Sequence, residues 1–124
     1  MATLTLDTGA LIAADRGDRR FWTMWRAVLD VDKRIPAPVL AQAWRGSENA
    51  RTSSVIASCF VVPMDEEIAR RVGELCGRTR TSDVVDATVA VVASRFGDDV
   101  VTGDPTDIER LLRDLGSRSV VHRL

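Results

Sequence analysis

Histidine, cysteine and lysine are scarce in this chain of 124 residues: it has one His, two Cys and, among 17 basic residues, a single Lys, so the other 16 are Arg. Each shortage removes a class of function. His122 stands near the C-terminal end with no partner evident in the sequence, which leaves no parts for histidine-based nuclease chemistry; it reads as a strand-end residue. Cys59 and Cys76 are too few and too far apart for a zinc pattern, and their apolar surroundings make them core thiols and not a disulfide. Lys33 lies early in the chain, so the lysine that a phosphorylation-receiver domain needs after its last strands is missing. No apolar stretch approaches the length of a membrane span, and a strand-like run stands where a basic and apolar leader would be, so a cytoplasmic protein without membrane contact is expected. A formal net charge of -1 excludes a general polyanion binder, and any nucleic-acid contact must come from a local patch.

Apolar residues make up 45% and charged residues 28%, enough to bury one core and cover it with a soluble surface. The length suits a single domain over 1–124, and no repeat or linker divides it. Strand-like runs fall at Leu4–Leu6, around Ile35, at Phe60–Val62, at Val100–Thr102 and at Val120–His122. Between them, Phe21, Trp22, Trp25, Val28 and Leu29, then Val39, Leu40 and Ala43, then Ile68, Val72 and Leu75 recur at helical spacing. Asp65 opens the last of these helices, Glu66 and Glu67 complement its dipole, and Gly77 marks its expected end. Alternation of strands and helices predicts an α/β fold, with a central parallel sheet of about five strands between two layers of helices.

In such sheets, sites lie beyond the carboxyl ends of the strands, where Asp7 and Asp104 fall. Asp83 and Asp86 share a helix face by spacing, and Asp107 follows Asp104-Pro105 in the first turn of another helix. Each acid taken singly has a structural role: Asp7 as a turn residue, Asp83 and Asp104 as caps, Asp107 as a dipole partner. As a set they offer the oxygen donors that a hard divalent cation such as Mg²⁺ selects, drawn from three distant segments.

The residues resemble those of PIN-domain ribonucleases, and most closely the VapC toxins of bacterial toxin–antitoxin pairs. Leu6-Asp7-Thr8-Gly9-Ala10-Leu11-Ile12 is similar to the opening strand and acidic turn, and Pro36 through Gly46 to the second motif. Asp86-Ala87-Thr88-Val89-Ala90 resembles the third motif and Val101 through Ile108 the fourth. No one motif is specific; their order and spacing are. The resemblance implies a PIN-like three-layer α/β/α fold. It further implies Mg²⁺ or Mn²⁺ held by Asp7, Asp86 and Asp104, Asp107 as a further catalytic acid, and Thr8 and Thr102 as hydroxyl neighbours. Asp83 is a second acid beside Asp86. The activity implied is endonucleolytic hydrolysis of RNA, often tRNA or rRNA, leaving a 5′-phosphate and a 3′-hydroxyl. The implied partners are a second copy of the chain and a VapB antitoxin that places a basic side chain in the acidic pocket, with no sequence-specific DNA binding by this chain itself.

Gln42 departs from the family pattern, which has Glu there. An amide can offer its carbonyl oxygen to a cation or its water but cannot act as a base. Glu48 is the nearest acid, and its place does not match. Two functions follow: a metal-dependent ribonuclease, or a catalytically weak PIN-like protein that binds RNA or its antitoxin. Arg16, Arg19 and Arg20, and Arg78 and Arg80 in the expected loop before Asp83, are candidates for RNA phosphates or else a solvated surface. Arg45 is expected to pair with a nearby acid, and Trp22, Trp25 and Trp44 to serve the core or an interface.

Overall fold

The computed structural model describes residues 2–46 and 48–124. The elements run β1 (Leu4–Leu6), α1 (Thr8–Asp15), α2 (Arg19–Ala27), β2 (Lys33–Pro36), α3 (Ala37–Ala43), α4 (Ala50–Ala57), β3 (Phe60–Val62), α5 (Glu66–Thr79), α6 (Val84–Phe96), β4 (Asp99–Thr102), α7 (Pro105–Asp114) and β5 (Val121–Arg123). The five strands form one sheet in the order β3-β2-β1-β4-β5, with every neighbouring pair parallel. From β1 the chain steps outward through β2 to β3, then crosses back to β4 on the other side of β1. Right-handed crossovers therefore put α1–α4 on one face and α5–α7 on the other. The expected α/β/α layering is what the chain adopts.

Burial follows this plan. Leu6, Ile35 and Val100 are fully buried in the sheet, and α6 is buried from Ala87 through Ala93. That helix is apolar all round because it crosses the middle of one layer, touching α5, α7, β1, β2 and β4. On the other face, α2 buries Phe21 and Trp25, whose rings stack at 5.6 Å. Asp65 caps α5 by accepting from the Ile68 amide at 2.8 Å, as its place in the sequence suggested.

Several local expectations change. The helix α4, capped by Asn49, has no strong apolar stripe to mark it in the sequence. Gly77 does not end α5; the helix runs on to Thr79 and closes on Arg80, the one non-glycine residue with positive φ among the described residues, at 55°. Among the described residues Arg45 pairs with no acid, donating instead to the carbonyl oxygens of Trp44 at 2.7 Å and Ala41 at 3.3 Å. His122 does have a partner, Asp99 Oδ2 at 3.1 Å, one strand away. Cys59 and Cys76 are free, half-buried thiols, and burial pushes that of Cys59 up to about 11, which keeps it unreactive.

A side chain in the left-handed region costs roughly 1 kcal/mol relative to glycine. Arg80→Gly should therefore raise stability by about that amount, and thermal denaturation should show a melting temperature higher by roughly 4 °C. An unchanged or lower value would mean that the Arg80 side chain contributes contacts outweighing the backbone cost.

Candidate active site

The strand order reverses between β1 and β4, and the two loops leaving these strands at their carboxyl ends carry Asp7 and Asp104. Register does the rest. Leu6 pairs with Val101, and the Asp7 amide still donates to the Val101 carbonyl at 3.2 Å, so Asp7 comes level with Thr102 on the neighbouring strand. The Thr102 hydroxyl donates to Asp7 Oδ2, while Asp7 Oδ1 accepts from the Ala10 amide at 3.1 Å and caps α1. Thr102 Oγ1 also accepts from the Asp104 amide at 2.9 Å, tying the second acidic loop to the first. The loops can lie this close because Gly9 and Gly103 face each other: a Cβ on Gly9 would stand 3.1 Å from the Gly103 nitrogen.

Asp86 arrives from another direction. The α6 helix leads into β4 and runs antiparallel to it, so the first turn of α6 sits at the carboxyl end of the sheet. Asp83 caps this helix by accepting from the Asp86 amide at 2.9 Å, and Asp86 occupies its first turn. Asp104 precedes α7 as its cap residue but makes no side-chain capping bond, with Pro105 removing one donor that would otherwise need it. Its carboxylate is left exposed, as is that of Asp107 in the first turn of α7. Asp7 is buried and Asp86 half-buried.

The electrostatics show which acids face one another. Asp86 is pushed from the ordinary 3.8 up to about 7, first by removal from water, then by the charges of Asp83 and Asp7, with Asp107 adding to them. Asp7 is also raised, chiefly by burial and slightly by Asp104, against the lowering effect of its bonds to Thr102, Ala10 and Gly9. None of Asp7, Asp83, Asp86, Asp104 and Asp107 has an ion-pair partner among the described residues. The fold thus gathers carboxylates without compensating them.

A bound divalent cation would supply that compensation. The donors suit one in type, being carboxylate oxygens of high charge density, although no three His, Cys, Asp or Glu side chains among the described residues already stand at ligating spacing. Mg²⁺ keeps several waters and takes one or two carboxylates directly, so it does not require such a preformed trio.

Gln42 lies on α3 at the edge of this group, where its Oε1 accepts from the Thr8 hydroxyl at 2.5 Å. Thr8 therefore engages Gln42 and not an acid. The arginines do not form one surface. Arg16 follows α1, Arg19 and Arg20 begin α2, and all three are exposed. Arg78 is not in a loop: it belongs to α5 and donates to Asp114 Oδ1 at 2.9 Å, which ties it to α7.

No family model and no curated protein sequence matches the chain. Solved structures do. Similar ones are VapBC2 from Rickettsia felis bound to a DNA fragment from its promoter (TM-score 0.73, 12% identity, 98% of each chain covered). A toxin–antitoxin complex from Klebsiella pneumoniae follows (TM-score 0.72, 18% identity, 85% of this chain and 89% of the other). DNA-bound VapBC from Salmonella typhimurium is a third (TM-score 0.69, 17% identity, 99% and 98%). With so little identity the likeness is one of fold: the chain has a PIN-like fold of the VapC type.

The raised carboxyl of Asp86 fixes the sign of a pH effect. An acid whose folded pKa lies above its unfolded value contributes stability that is fully present below about 4 and is lost as pH rises through about 7. Asp86→Asn removes the titration, so the variant should melt above the parent at pH 8, with the gap closing as pH falls toward 4. Equal melting temperatures at pH 8 would contradict the carboxylate crowding.

Proposed function

We propose that this chain is the toxin of a toxin–antitoxin pair, a metal-dependent endoribonuclease acting in the cytoplasm. The observation that carries the reading is the convergence of Asp7, Asp86 and Asp104 from three segments near the point where the strand order reverses, with no basic side chain paired to them among the described residues. A site of this charge repels an RNA phosphate unless a cation stands between them. Asp7, Asp86 and Asp104 would hold Mg²⁺ or Mn²⁺. When bound, the ion supplies a lowered pKa for water and neutralises charge building on the phosphate.

The protein's own part is positioning. Thr102 and the Ala10 amide fix both oxygens of Asp7, so its orientation does not depend on the ligand. Asp104, free of capping duty, can turn toward the same ligand, and Asp107 extends the negative rim. The fold likeness to chains from VapBC complexes supports a VapB-type antitoxin as partner, and those complexes bind DNA. In our reading the antitoxin contacts the DNA, while this chain acts as a homodimer on tRNA or rRNA.

A second reading keeps the fold and the partners without turnover. Gln42 stands where the family pattern has Glu, and its oxygen is already engaged by Thr8. The amide adds no negative charge, which lowers the attraction for a cation.

Purified, antitoxin-free protein incubated with end-labelled tRNA and rRNA fragments separates the two. Discrete cuts in Mg²⁺ or Mn²⁺, absent in EDTA and in Asp7→Asn, are expected. Gln42→Glu should raise the rate about tenfold, in the range typical of groups that orient metal ligands. As a readout independent of cutting, millimolar Mn²⁺ should raise the melting temperature of the parent at pH 8 and leave that of Asp7→Asn nearly unchanged. RNA or antitoxin binding with no cleavage in either metal would instead establish the non-catalytic reading.

A further inference from the structure

A basic cleft lies on α2, away from the acidic group. Arg19, Trp22 and Arg26 fall at i, i+3 and i+7 and so form one stripe of the helix, next to the stripe of Phe21, Trp25 and Val28 that enters the core. Arg51, from the first turn of α4, completes the wall, and with Gly17 these residues line a shallow cleft open to solvent. No carboxylate among the described residues lines it. Arg19, Arg26 and Arg51 form no ion pair among the described residues. The nearest acids in sequence are occupied: Asp18 caps α2 by accepting from the Phe21 amide at 2.9 Å, and Asp15 accepts from the Thr52 hydroxyl at 3.3 Å.

Two of its residues, Trp22 and Arg51, are tied to carbonyl oxygens of α1. Gly17 adopts a φ of +69° just past the end of α1, and the Arg51 guanidinium lies against it, where a Cβ would stand 2.7 Å from Nη1 and push this flexible end aside. Arg51 Nη1 also reaches the Asp15 carbonyl at 3.4 Å. Trp22 is fixed at two points, its indole nitrogen donating to the Ala14 carbonyl at 3.2 Å and its ring meeting Phe21 edge to face at 5.1 Å. Half-buried, it is held rigid without being consumed by the core.

We propose that this cleft binds single-stranded RNA, with Arg19, Arg26 and Arg51 on phosphates and Trp22 as a surface for an unpaired base. Three unpaired guanidiniums around a fixed indole match a strand that alternates charge with flat aromatic groups, whereas an acidic peptide would use the arginines and leave the indole idle. The cleft also stands in a useful relation to the acids. The α1 helix runs from Asp7 to Gly17 through eight residues, roughly 12 Å of helix, which a strand of a few nucleotides can span. The inference rests on RNA being the substrate, and it assigns the cleft the grip on the strand that an acidic site cannot provide.

The test measures binding of a fluorescent single-stranded RNA dodecamer in EDTA, so that cleavage does not intervene, across a range of salt. Arg26→Ala/Arg51→Ala should weaken binding at least tenfold and reduce the magnitude of the log–log salt slope by about 1.4, the value for two lost phosphate contacts on a single strand. Trp22→Leu should weaken binding about fivefold or more with the salt slope unchanged. Arg113→Ala/Arg118→Ala, which removes equal charge from exposed positions elsewhere, should change affinity less than twofold. If Arg51→Ala disturbs the fold by circular dichroism, Arg26→Ala alone on the exposed helix face carries the test, with half the change in slope. Equal losses in the cleft and control variants would overturn the proposal, as would loss of binding to a decaglutamate peptide with RNA binding intact. Mn²⁺-dependent cleavage with arginine-independent binding removes the cleft and keeps the nuclease. Arginine-dependent binding without cleavage keeps the cleft and removes the nuclease.

Discussion

Parallel pairing of β1 with β4 is the constraint on which the rest of this molecule depends. The two strands lie nearly a hundred residues apart in sequence, and their register, Leu4 with Asp99 through Leu6 with Val101, decides what meets at each end. At the carboxyl end it brings Asp7 beside Thr102 and lets Gly9 approach Gly103. Pairing shifted by one residue would turn Thr102 away from Asp7 and exchange the side chains presented to the two helical layers, so the packing of the buried Leu6 and Val101 enforces the geometry of the polar site.

The two ends of the sheet treat buried carboxylates in opposite ways. At the amino end, Asp98 is fully buried and fully answered. The Arg34 guanidinium lies at 2.7 Å, Thr5 donates at 2.8 Å, and Thr3 donates as well. Arg34 is itself covered by the Phe96 ring at 4.2 Å. A buried charge compensated in this manner belongs to the architecture. At the carboxyl end, Asp7 is nearly as buried but receives only hydrogen bonds, and its charged neighbours are other acids. Buried acids left without a cation destabilise the folded chain, and such groups persist where they serve binding or chemistry.

The basic cleft on α2 and the acidic group illustrate how a chain of net charge -1 can separate its charges. Averaged over the molecule the signs cancel, but the helices order them into distinct surfaces. Asp83, Asp86 and Asp107 fall in or before first turns, where helix dipoles favour them, and Arg19 and Arg26 stand along a solvent-facing stripe.

The sequence by itself determined the local structure and the type of fold. Leu4–Leu6 and Val100–Thr102 are dense enough in apolar and β-branched residues to read as buried strands, and Asp65 followed by two glutamates fixes a helix start, because such signals act over a few residues. The four motifs that resemble PIN domains made the acids legible as candidates through their order along the chain. Other features were silent in the sequence for a physical reason. The extension of α5 past Gly77, the helix α4 and the tie of Arg78 to Asp114 depend on packing, which overrides weak local preference. Only the tertiary structure decided which groups meet: Asp99 with His122, Thr8 with Gln42, Arg51 with Gly17, and Asp86 with Asp7. Those contacts join positions that are far apart in sequence, and their distances are set by strand register and crossover handedness, properties of the whole sheet that no short segment carries.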